Sequence, residues 1–450
     1  MINTGIFAVI SRRIQRTEQI SELQKWLDGH NIESVETIVP DIAGMARGKL
    51  QPVELLTGKP GKLPIAVLAQ SCNGLFHLPK DNVGDQDMLL RPDVASLRVV
   101  PWASEPTASA IMDCFYADGE PVGHAPRAVL QRVIGRYQEH GWTPVVAPEV
   151  EFYLTRDPES ELEAPLGELT DPYGLDGIHD LDAFFEQLYD YCRAQDIQIG
   201  AASQELGPAQ FEINFQHGDA VKLADDVFHF KRTLKRVALD YGMRVTFLAK
   251  VTQDGPGSSL HIHQSIVGED GNNVFSTGDG EPSELFHFYL GGLQHHMRDA
   301  LLLLAPYANS YRRFLSYYSS PVNLEWGVDN RTVGLRVPDS EPAARRIENR
   351  LAGSDVNPYL AIAATLACGL AGMTNRLPPR AAVAASAYDL PFALHRDLYE
   401  ALDAFAGSSR MREILGDEFV TTYSKVKELE HREFQARIPD WERDELMFTV

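Results

Sequence analysis

VVAPEVEFYL, residues 145–154, alternates acidic and apolar side chains at its centre. Successive side chains of a β-strand point to opposite faces, so Glu149 and Glu151 share one face, while Val150, Phe152 and Leu154 point to the other. A carboxylate on an otherwise apolar strand is costly unless it is paired, protonated or bound to a cation. Taken alone, such a motif is more often an exposed strand edge or a salt bridge than a functional site.

Three further segments repeat this alternation. SQELGPAQFEINF (203–215) carries Glu205 before a Gly-Pro turn, SSLHIHQSI (258–266) carries two histidines, and RRIENRL (345–351) sets an acid between two arginines. In extended conformation each segment gathers its polar side chains on one face. These faces hold Gln210, Glu212 and Asn214 in the first segment, His261, His263 and Ser265 in the second, and Arg346, Glu348 and Arg350 in the third.

The four segments together indicate one shared cavity. A His-x-His pair alone is as often a hydrogen-bonded structural pair as a metal site. Several glutamates with one histidine suit Mg²⁺ or Mn²⁺ rather than structural zinc. Neighbouring arginines suit anionic substrates, above all phosphates. Metal ions combined with arginines are the usual apparatus of phosphoryl transfer, and the sequence contains no Walker-type loop.

Composition narrows the class of protein. The 450 residues are 44% hydrophobic, which is enough for a large core and for two or more domains. A formal net charge of -22 disfavours nucleic acid and anionic membranes as partners. Four scattered cysteines fit a reducing cytosol. The longest apolar tract, near 359–370, is too short for a bilayer, so we expect a soluble cytoplasmic protein.

Two regions differ in their periodicity. A helix is predicted over 18–29, and residues 33–115 contain short β-like runs at Val35–Val39, Ile65–Leu68, Leu97–Val100 and Ser109–Phe115. A helix is predicted to begin near Pro126. Strands then alternate with helices around 184–192, 287–304 and 357–374, and the segment from Glu159 to Asp180 is predicted to be a loop. We predict an N-terminal domain over 1–120 and a larger domain over 121–450.

The ordered set of motifs resembles the glutamine synthetase family. The resemblance extends from Asp41 to about Leu390 and rests on DIAGMARGK (41–49), APEVEFYL (147–154), QELGPAQFEINF (204–215), GSSLHIHQS (257–265), NSYRRF (309–314), DNRTVGLRVP (329–338) and RRIENRLAGSDVNPYLA (345–361). It implies an α+β fold in which a β-grasp N-terminal domain joins a catalytic domain with a curved antiparallel sheet and helices. It also implies six-membered rings, as a hexamer or a dodecamer, with active sites at subunit interfaces.

The resemblance also implies roles by position. The cofactors would be ATP and two or more Mg²⁺ or Mn²⁺ ions, and the reaction would join the γ-carboxylate of L-glutamate to an amine through γ-glutamyl phosphate. Metal ligands would be Glu151, Glu205 and Glu212 for one ion and Glu149, His261 and Glu348 for another. Positions near ATP and its phosphates are His263, Ser265, Arg331, Arg336 and Arg346, and positions that hold glutamate are Gly257, Arg313 and Arg350.

Two departures bear on the acceptor. Ammonia-using members carry a glutamate after NSYRR where this chain has Ser319, and AQSCNGLF (69–76) lacks the acid of the family's N-terminal loop. Ammonium is attracted and deprotonated by carboxylates. The sequence therefore resembles most the γ-glutamylpolyamine and γ-glutamylamine synthetases. Authentic glutamine synthetase and a non-catalytic homologue remain alternatives.

The identity of the acceptor stays open at this stage. A polyamine would favour acids in its channel, whereas Tyr317, Tyr318 and Trp326 favour a bulky or aromatic monoamine unless they are core residues. Pro256 stands where the family has an asparagine that contacts glutamate, and a proline nitrogen cannot donate there. Tyr388 stands where some relatives are adenylylated, although an exposed loop tyrosine needs no such role.

Overall fold

The computed structural model describes residues 21–56, 60–77, 84–159 and 171–450. Its first part is a helix, α1 (21–29), and a six-stranded sheet in the order β2-β1-β6-β4-β3, with β5 beside β6. β1 and β6 run parallel, and the other pairs are antiparallel. The strands are β1 (Ser34–Pro40), β2 (Ala46–Pro52), β3 (Gly61–Pro64), β4 (Asp87–Pro92), β5 (Arg98–Val99) and β6 (Thr107–Phe115).

A nine-stranded sheet dominates the rest of the chain. Its order is β13-β14-β15-β12-β7-β9-β8, with β10 and β11 also paired to β7, and only β13 and β14 run parallel. The strands are β7 (Thr143–Arg156), β8 (Ile199–Gln204), β9 (Gln210–Phe215), β10 (Gly218–Asp219), β11 (Met243–Thr246), β12 (Leu260–Val267), β13 (Trp326–Val328), β14 (Leu335–Val337) and β15 (Ile347–Asn349).

Ten further helices accompany this sheet in the described part of the chain. They are α2 (Pro126–Gln138), α3 (Asp176–Asp180), α4 (Asp182–Ala194), α5 (Ala220–Asp240), α6 (Glu284–Leu304), α7 (Pro358–Asn375), α8 (Leu398–Gly407), α9 (Ser409–Leu415), α10 (Asp417–Gln435) and α11 (Asp440–Leu446). Among the residues that the structure describes, no helix combines the length and the apolar character needed to cross a membrane.

Helices α6 and α7 form the centre of the core. Asn357 caps α7 by accepting hydrogen bonds from two backbone amides, and Pro358 occupies its first turn, where the missing N–H costs nothing. The two helices approach closely because Gly292 faces Gly372: a Cβ on Gly292 would lie 2.6 Å from the Gly372 Cα. The apolar face of the large sheet joins the same core, and its polar face is left for the site.

The predicted elements match the structure with three differences. Ile65–Leu68 is a 3-10 helix, so the predicted strand there is wrong. A short apolar run does not distinguish a strand from a helical turn, and this one follows Pro64, which begins the turn. The helix predicted over 18–29 is helical over 21–29, and 18–20 lie outside the described residues. The predicted loop over 159–180 contains α3, and its residues 160–170 are likewise not described.

A buried ionic network connects the first sheet with helices α2 and α5. Arg127, on the first turn of α2, donates to Asp113 at 2.6 Å, to Asp225 at 3.0 Å and also to Asp93. Asp113 belongs to β6, whereas Asp225 belongs to α5. Tyr359 adds a hydrogen bond to Asp225 at 2.6 Å. The guanidinium therefore neutralises three carboxylates that approach from different parts of the chain.

We expect Arg127→Met to lower the free energy of unfolding by about 3–5 kcal/mol, because it leaves buried carboxylates without a counter-charge. Denaturant unfolding followed by circular dichroism would measure the loss. The matched control is Arg193→Met, which removes an exposed pair with Asp190 and should cost no more than about 1 kcal/mol. Equal losses in the two variants would contradict the role assigned to Arg127.

Candidate active site

Strand register brings the polar faces of the four segments together. In the antiparallel pairs, His261 lies opposite Glu149, and Glu212 lies opposite Glu151. Glu348 lies opposite His263 on one side and opposite Arg336 on the other. Directly opposed residues of a sheet have neighbouring side chains. The alternation read from sequence therefore places these groups on one face, as predicted, and pairing makes them neighbours.

This face forms the floor of a cavity of about 310 Å³, called here the carboxylate cavity. All the residues predicted as metal ligands, as glutamate contacts or as catalytic residues line it: Glu149, Glu151, Glu205, Glu212, Gly257, His261, Arg313, Ser319, Arg331, Arg336, Glu348 and Arg350. The three remaining predicted residues, His263, Ser265 and Arg346, line an adjacent cavity of about 610 Å³. Glu149 lines both cavities, so they meet at its carboxylate.

Two groups of side chains in this region could each hold a metal ion. Glu149, Glu212 and His261 form one group, and Glu149, His263 and Glu348 form the other, with ligand atoms within 4.8 Å of one another. The Glu149 carboxylate lies 3.3 Å from His261 Nδ1 and 3.0 Å from His263 Nε2. This grouping differs from the predicted sets, which paired Glu212 with Glu151 and placed His263 near ATP.

The electrostatics of the carboxylate cavity favour a cation. Burial, together with the charge of Glu205, raises the pKa of Glu151 to about 8. Burial, together with the charge of Glu149, raises the pKa of Glu212 to about 9. Burial lowers the pKa of His261, which favours the neutral ring that binds metals. Clustered carboxylates that repel one another beside a neutral imidazole are a donor set that fits Mg²⁺ or Mn²⁺.

The arginines are positioned by the same strands. Arg336 Nη1 donates to Glu348 Oε2 at 2.7 Å, and Arg350 donates to the other oxygen of that carboxylate. These guanidiniums hold the pKa of Glu348 at about 2 although burial opposes ionisation. Asp329, which sequence reasoning missed, accepts from Arg336 Nη2 at 2.8 Å. Arg331 is exposed at the cavity and makes no ion pair with any described residue.

Gly257 is required by a close approach. A Cβ at this position would lie 2.4 Å from Arg313 Cγ and 2.8 Å from the Ala249 carbonyl oxygen. Arg313 itself is buried and donates to Ser259 Oγ at 3.1 Å and to the Leu351 carbonyl. The preceding Pro256 contributes its carbonyl, which accepts from Tyr153 at 3.0 Å. The glycine thus leaves room for a buried guanidinium beside the carboxylates.

The segment around Ser319 adopts a strained backbone. Tyr318 and Ser319 have φ values of 55° and 54°, a region that residues other than glycine rarely occupy. Arg350 Nη2 donates to the Ser319 carbonyl at 3.3 Å, and Ser320 donates to the Arg313 carbonyl. The Arg350 side chain therefore holds the Ser319 backbone at the cavity wall, and strain of this kind is typical of functional sites.

The aromatic residues predicted near the acceptor do not all reach the cavity. Tyr318 lines it, is 44% exposed and donates to the Asp254 carbonyl at 3.0 Å. Trp326 does not line it: its ring packs against Phe286, and its Nε1 donates to the Arg380 carbonyl at 2.7 Å. Trp326 is therefore a packed residue, the alternative that the sequence left open, because the alternation of β13 turns this ring toward α6. Tyr317 does not line the cavity either.

Two side chains of the cavity mouth were missed in the sequence. Tyr173 and Leu206 line the carboxylate cavity and are largely exposed. Tyr173 lies in an irregular segment with a φ of 61°, and no periodic pattern marks it. Leu206 directly follows the predicted metal ligand Glu205 and belongs to no polar or periodic pattern of its own. Both could be found only by locating the mouth of the cavity.

Two further predictions concern positions away from the cavity wall. AQSCNGLF (69–76) does not line the carboxylate cavity, and the Cys72 amide instead donates to Glu430 of α10 at 2.7 Å.

Tyr388 belongs to a 3-10 helix at Ala387–Asp389 and is half-buried. Its hydroxyl is buried without a hydrogen-bond partner among the described residues, so the expectation of an exposed loop tyrosine is wrong.

Comparison with known proteins agrees with this geometry. The family model described as "Glutamine synthetase, catalytic domain" matches residues 123–446. The chain is 33% identical to glutamate–isopropylamine ligase of a Pseudomonas species, covering 95% of this chain and 98% of that protein. It is also 33% identical to gamma-glutamylputrescine synthetase PuuA of Escherichia coli K12, covering 94% and 93%.

A solved structure agrees as well. The structure titled "Apo GmaS without ligand" superposes with a TM-score of 0.83 at 26% identity, covering 94% of this chain and 98% of that one. The family model spans well over half of the chain, and the relatives span nearly all of it. Together with the site described above, these matches show that the chain belongs to the glutamine synthetase family.

Proposed function

We propose that this protein is an ATP-dependent ligase that joins the γ-carboxylate of L-glutamate to an amine other than ammonium. The observation that carries the choice of acceptor is Ser319, a neutral side chain held at the cavity wall where ammonia-using members carry a glutamate. The relatives named above are ligases of isopropylamine and putrescine with glutamate, which supports the same reaction class for this chain.

The cofactors proposed are ATP and at least two Mg²⁺ or Mn²⁺ ions. The two groups that share Glu149 would hold the metal ions, one in the carboxylate cavity and the other where it meets the adjacent cavity at His263. When bound, the metal ions would neutralise the charge of the transferred phosphoryl group. The adjacent cavity has apolar walls at Val145 and Phe215, and it carries His263 and Arg346, a combination that suits a nucleotide.

The protein's own residues bind and orient the reactants. We propose that Arg313 and Arg350 hold the carboxylates of glutamate, because both guanidiniums are buried at the cavity. Arg331 and Arg336 stabilise the negative charge of the transferred group. Glu348 fixes the orientation of Arg336 through its hydrogen bond at 2.7 Å.

The chemistry follows in two steps. A γ-carboxylate oxygen of glutamate attacks the γ-phosphorus of ATP, a new C–O–P linkage forms, and the bond to ADP breaks. The amine nitrogen then attacks the carbonyl carbon of γ-glutamyl phosphate, inorganic phosphate leaves, and the nitrogen gives up a proton. ATP supplies the driving force, since a carboxylate does not form an amide in water unaided.

The mouth of the cavity supports a substituted amine. Tyr173, Leu206 and Tyr318 give it an aromatic and apolar rim. A rim of this kind buries hydrocarbon and can place a ring face against an ammonium group. The acceptor class that we propose is therefore a polyamine or a bulky or aromatic monoamine.

The test is phosphate release from ATP, Mg²⁺ and glutamate with a panel of acceptors. Ammonium would be compared with putrescine, spermidine, ethanolamine, isopropylamine and benzylamine, and products would be identified by mass spectrometry. Release that depends on one amine class, with the matching γ-glutamylamide, supports the proposal. Release at low ammonium with glutamine as product would make the protein a glutamine synthetase instead.

Ser319→Glu supplies a sharper test of the acceptor. We expect ammonium-dependent glutamine formation to rise by at least about tenfold, because a carboxylate beside the acceptor attracts and deprotonates ammonium. Activity with the preferred amine should fall because the longer side chain fills its space. The matched control is Ser316→Glu on the same exposed segment. No gain with ammonium, or an equal gain in both variants, would contradict the role of Ser319.

The assembly and the domain division are proposed on the family resemblance. We propose a β-grasp N-terminal domain that ends near residue 120, and six-membered rings in which neighbouring subunits complete each active site. Leu75 and Phe76, the last residues of AQSCNGLF (69–76), are exposed and could contact a neighbouring subunit, which supports this placement. Light scattering would give the mass, and a monomer with full activity would exclude the ring proposal.

A further inference from the structure

A third cavity, of about 470 Å³, lies where the 3-10 helix Ser310–Arg313 meets α8 and α10. We call it the α8–α10 cavity. Arg313 at the end of this 3-10 helix lines the carboxylate cavity, whereas its neighbours Tyr311 and Arg312 line the α8–α10 cavity. One short helix therefore contributes residues to two separate cavities, and nothing in the proposed reaction uses the α8–α10 cavity.

Two arginines meet at the α8–α10 cavity. Arg312 and Arg396 line it, and neither guanidinium has a carboxylate partner among the described residues. The acid that lines it, Asp397, already accepts a hydrogen bond from the Glu400 amide at 2.9 Å as the cap of α8. The cavity thus offers a ligand two guanidiniums without carboxylate partners in the described residues, although that of Arg396 also lies over the Phe392 ring, 4.8 Å from its centroid.

Two buried polar atoms at the same place lack partners. The Tyr311 hydroxyl and His431 Nδ1 make no hydrogen bond within the described part of the chain, and the tyrosine is only 8% exposed. A buried polar atom without a partner costs about 1–3 kcal/mol, so such atoms call for an explanation. Both atoms are inaccessible, so they lie behind the cavity wall and do not contact a ligand in it directly.

The remaining walls are aromatic. Tyr399 is 59% exposed and Phe434 is 47% exposed, although both line the cavity. The Tyr399 ring lies 5.6 Å from the His431 ring, with an angle of 32° between their planes. Flat aromatic walls beside guanidiniums favour a flat ring that carries negative charge.

We propose that the α8–α10 cavity binds a small anion that carries an aromatic ring, either an aryl carboxylate or an aryl phosphate. Arg312 and Arg396 pair with the anionic group, and the ring stacks between Tyr399 and Phe434. The site lies outside the carboxylate cavity and shares no lining residue with it.

The shared 3-10 helix connects this site with the glutamate pocket. Ser310 Oγ donates to Asp355 at 2.7 Å, and Arg313 donates to the Leu351 carbonyl, so both ends of the helix are fixed to the segment after β15. An anion bound to Arg312 shifts this short helix. The shift changes the position of Arg313 and therefore the affinity for glutamate. This consequence, unlike the binding itself, rests on the proposed function.

The binding test uses calorimetry on the full chain without substrates. Benzoate and phenyl phosphate are the probes, and acetate, cyclohexanecarboxylate and inorganic phosphate are the comparators. We expect both probes to bind more tightly than their comparators, and Arg312→Gln with Arg396→Gln to weaken them at least about tenfold. The matched control is Arg156→Gln, an exposed arginine without an ion pair among the described residues. Thermal unfolding establishes that the variants remain folded.

The outcomes separate the two proposals. Absence of probe binding, or equal affinity in the double variant and the wild type, overturns the site, since the anion would then lie elsewhere, for example at the glutamate arginines. The affinity for glutamate is then measured with and without saturating benzoate. An unchanged value overturns the coupling. A protein that binds the probes but forms no γ-glutamylamide would refute the proposed function and leave this site standing.

Discussion

We expect the Glu149→Gln variant to lose glutamate-dependent phosphate release from ATP by at least about 1000-fold. Glu149 belongs to both groups of candidate metal ligands and lines both cavities. Its carboxylate also contacts His261 and His263 at 3.3 and 3.0 Å. Glutamine keeps the size of the side chain but removes the charge that two cations would share.

The measurement is a steady-state assay at saturating ATP and glutamate, combined with Mn²⁺ binding measured by calorimetry. Metal affinity should fall together with activity, which separates loss of a ligand from a folding defect. Glu186→Gln is the matched control, because this glutamate is exposed on α4 and has no ion pair in the described residues. Activity within tenfold of wild type, with Mn²⁺ binding intact, would remove Glu149 from the metal site.

The second large effect is expected for Arg336→Gln. Its kcat should fall by about 100- to 1000-fold while the KM for glutamate changes little, because a group that stabilises developing charge acts mainly in the transition state. Arg336 is suited to this role: Glu348 and Asp329 hold its guanidinium at 2.7 and 2.8 Å, so the charge is already oriented before reaction.

Two variants make this prediction specific. Arg336→Lys keeps the charge but loses the planar fork, and it should recover only part of kcat. Arg376→Gln removes an exposed pair with Glu284 and should leave kcat unchanged. A rise in the KM for glutamate at constant kcat would show that Arg336 binds the ground state and does not stabilise the transferred group.

Much of the fold could be predicted from local patterns. The period of two in VVAPEVEFYL placed Glu149 and Glu151 on the polar face and Phe152 in the core, where it is fully buried. The caps and apolar periods of α2 and α7 likewise gave their beginnings to within a residue or so, at Pro126 and Pro358. These features depend on neighbours within a few positions, so the sequence contains them directly.

The sequence did not settle three features. Ile65–Leu68 has the composition of a strand but forms a 3-10 helix. Trp326 sits in a segment rich in aromatic residues, yet it packs against α6 because β13 joins the large sheet at its edge. The buried hydroxyl of the half-buried Tyr388 could not be foreseen either. For Trp326 the neighbour that decides the packing, Phe286, lies far away in the chain, whereas at Ile65–Leu68 the adjacent Pro64 begins the turn.

The sequence by itself determined the family, the polar and apolar faces of the strands, and the identity of the chemical groups, because side-chain alternation is a local property. Only the tertiary structure decided which groups meet. Register sets Glu149 opposite His261 and Glu348 opposite both His263 and Arg336. The tertiary structure also makes Glu149 line two cavities. It places the Ser310–Arg313 helix against a third cavity. Strand pairing and helix packing join residues separated by up to hundreds of positions, and no local pattern encodes those distances.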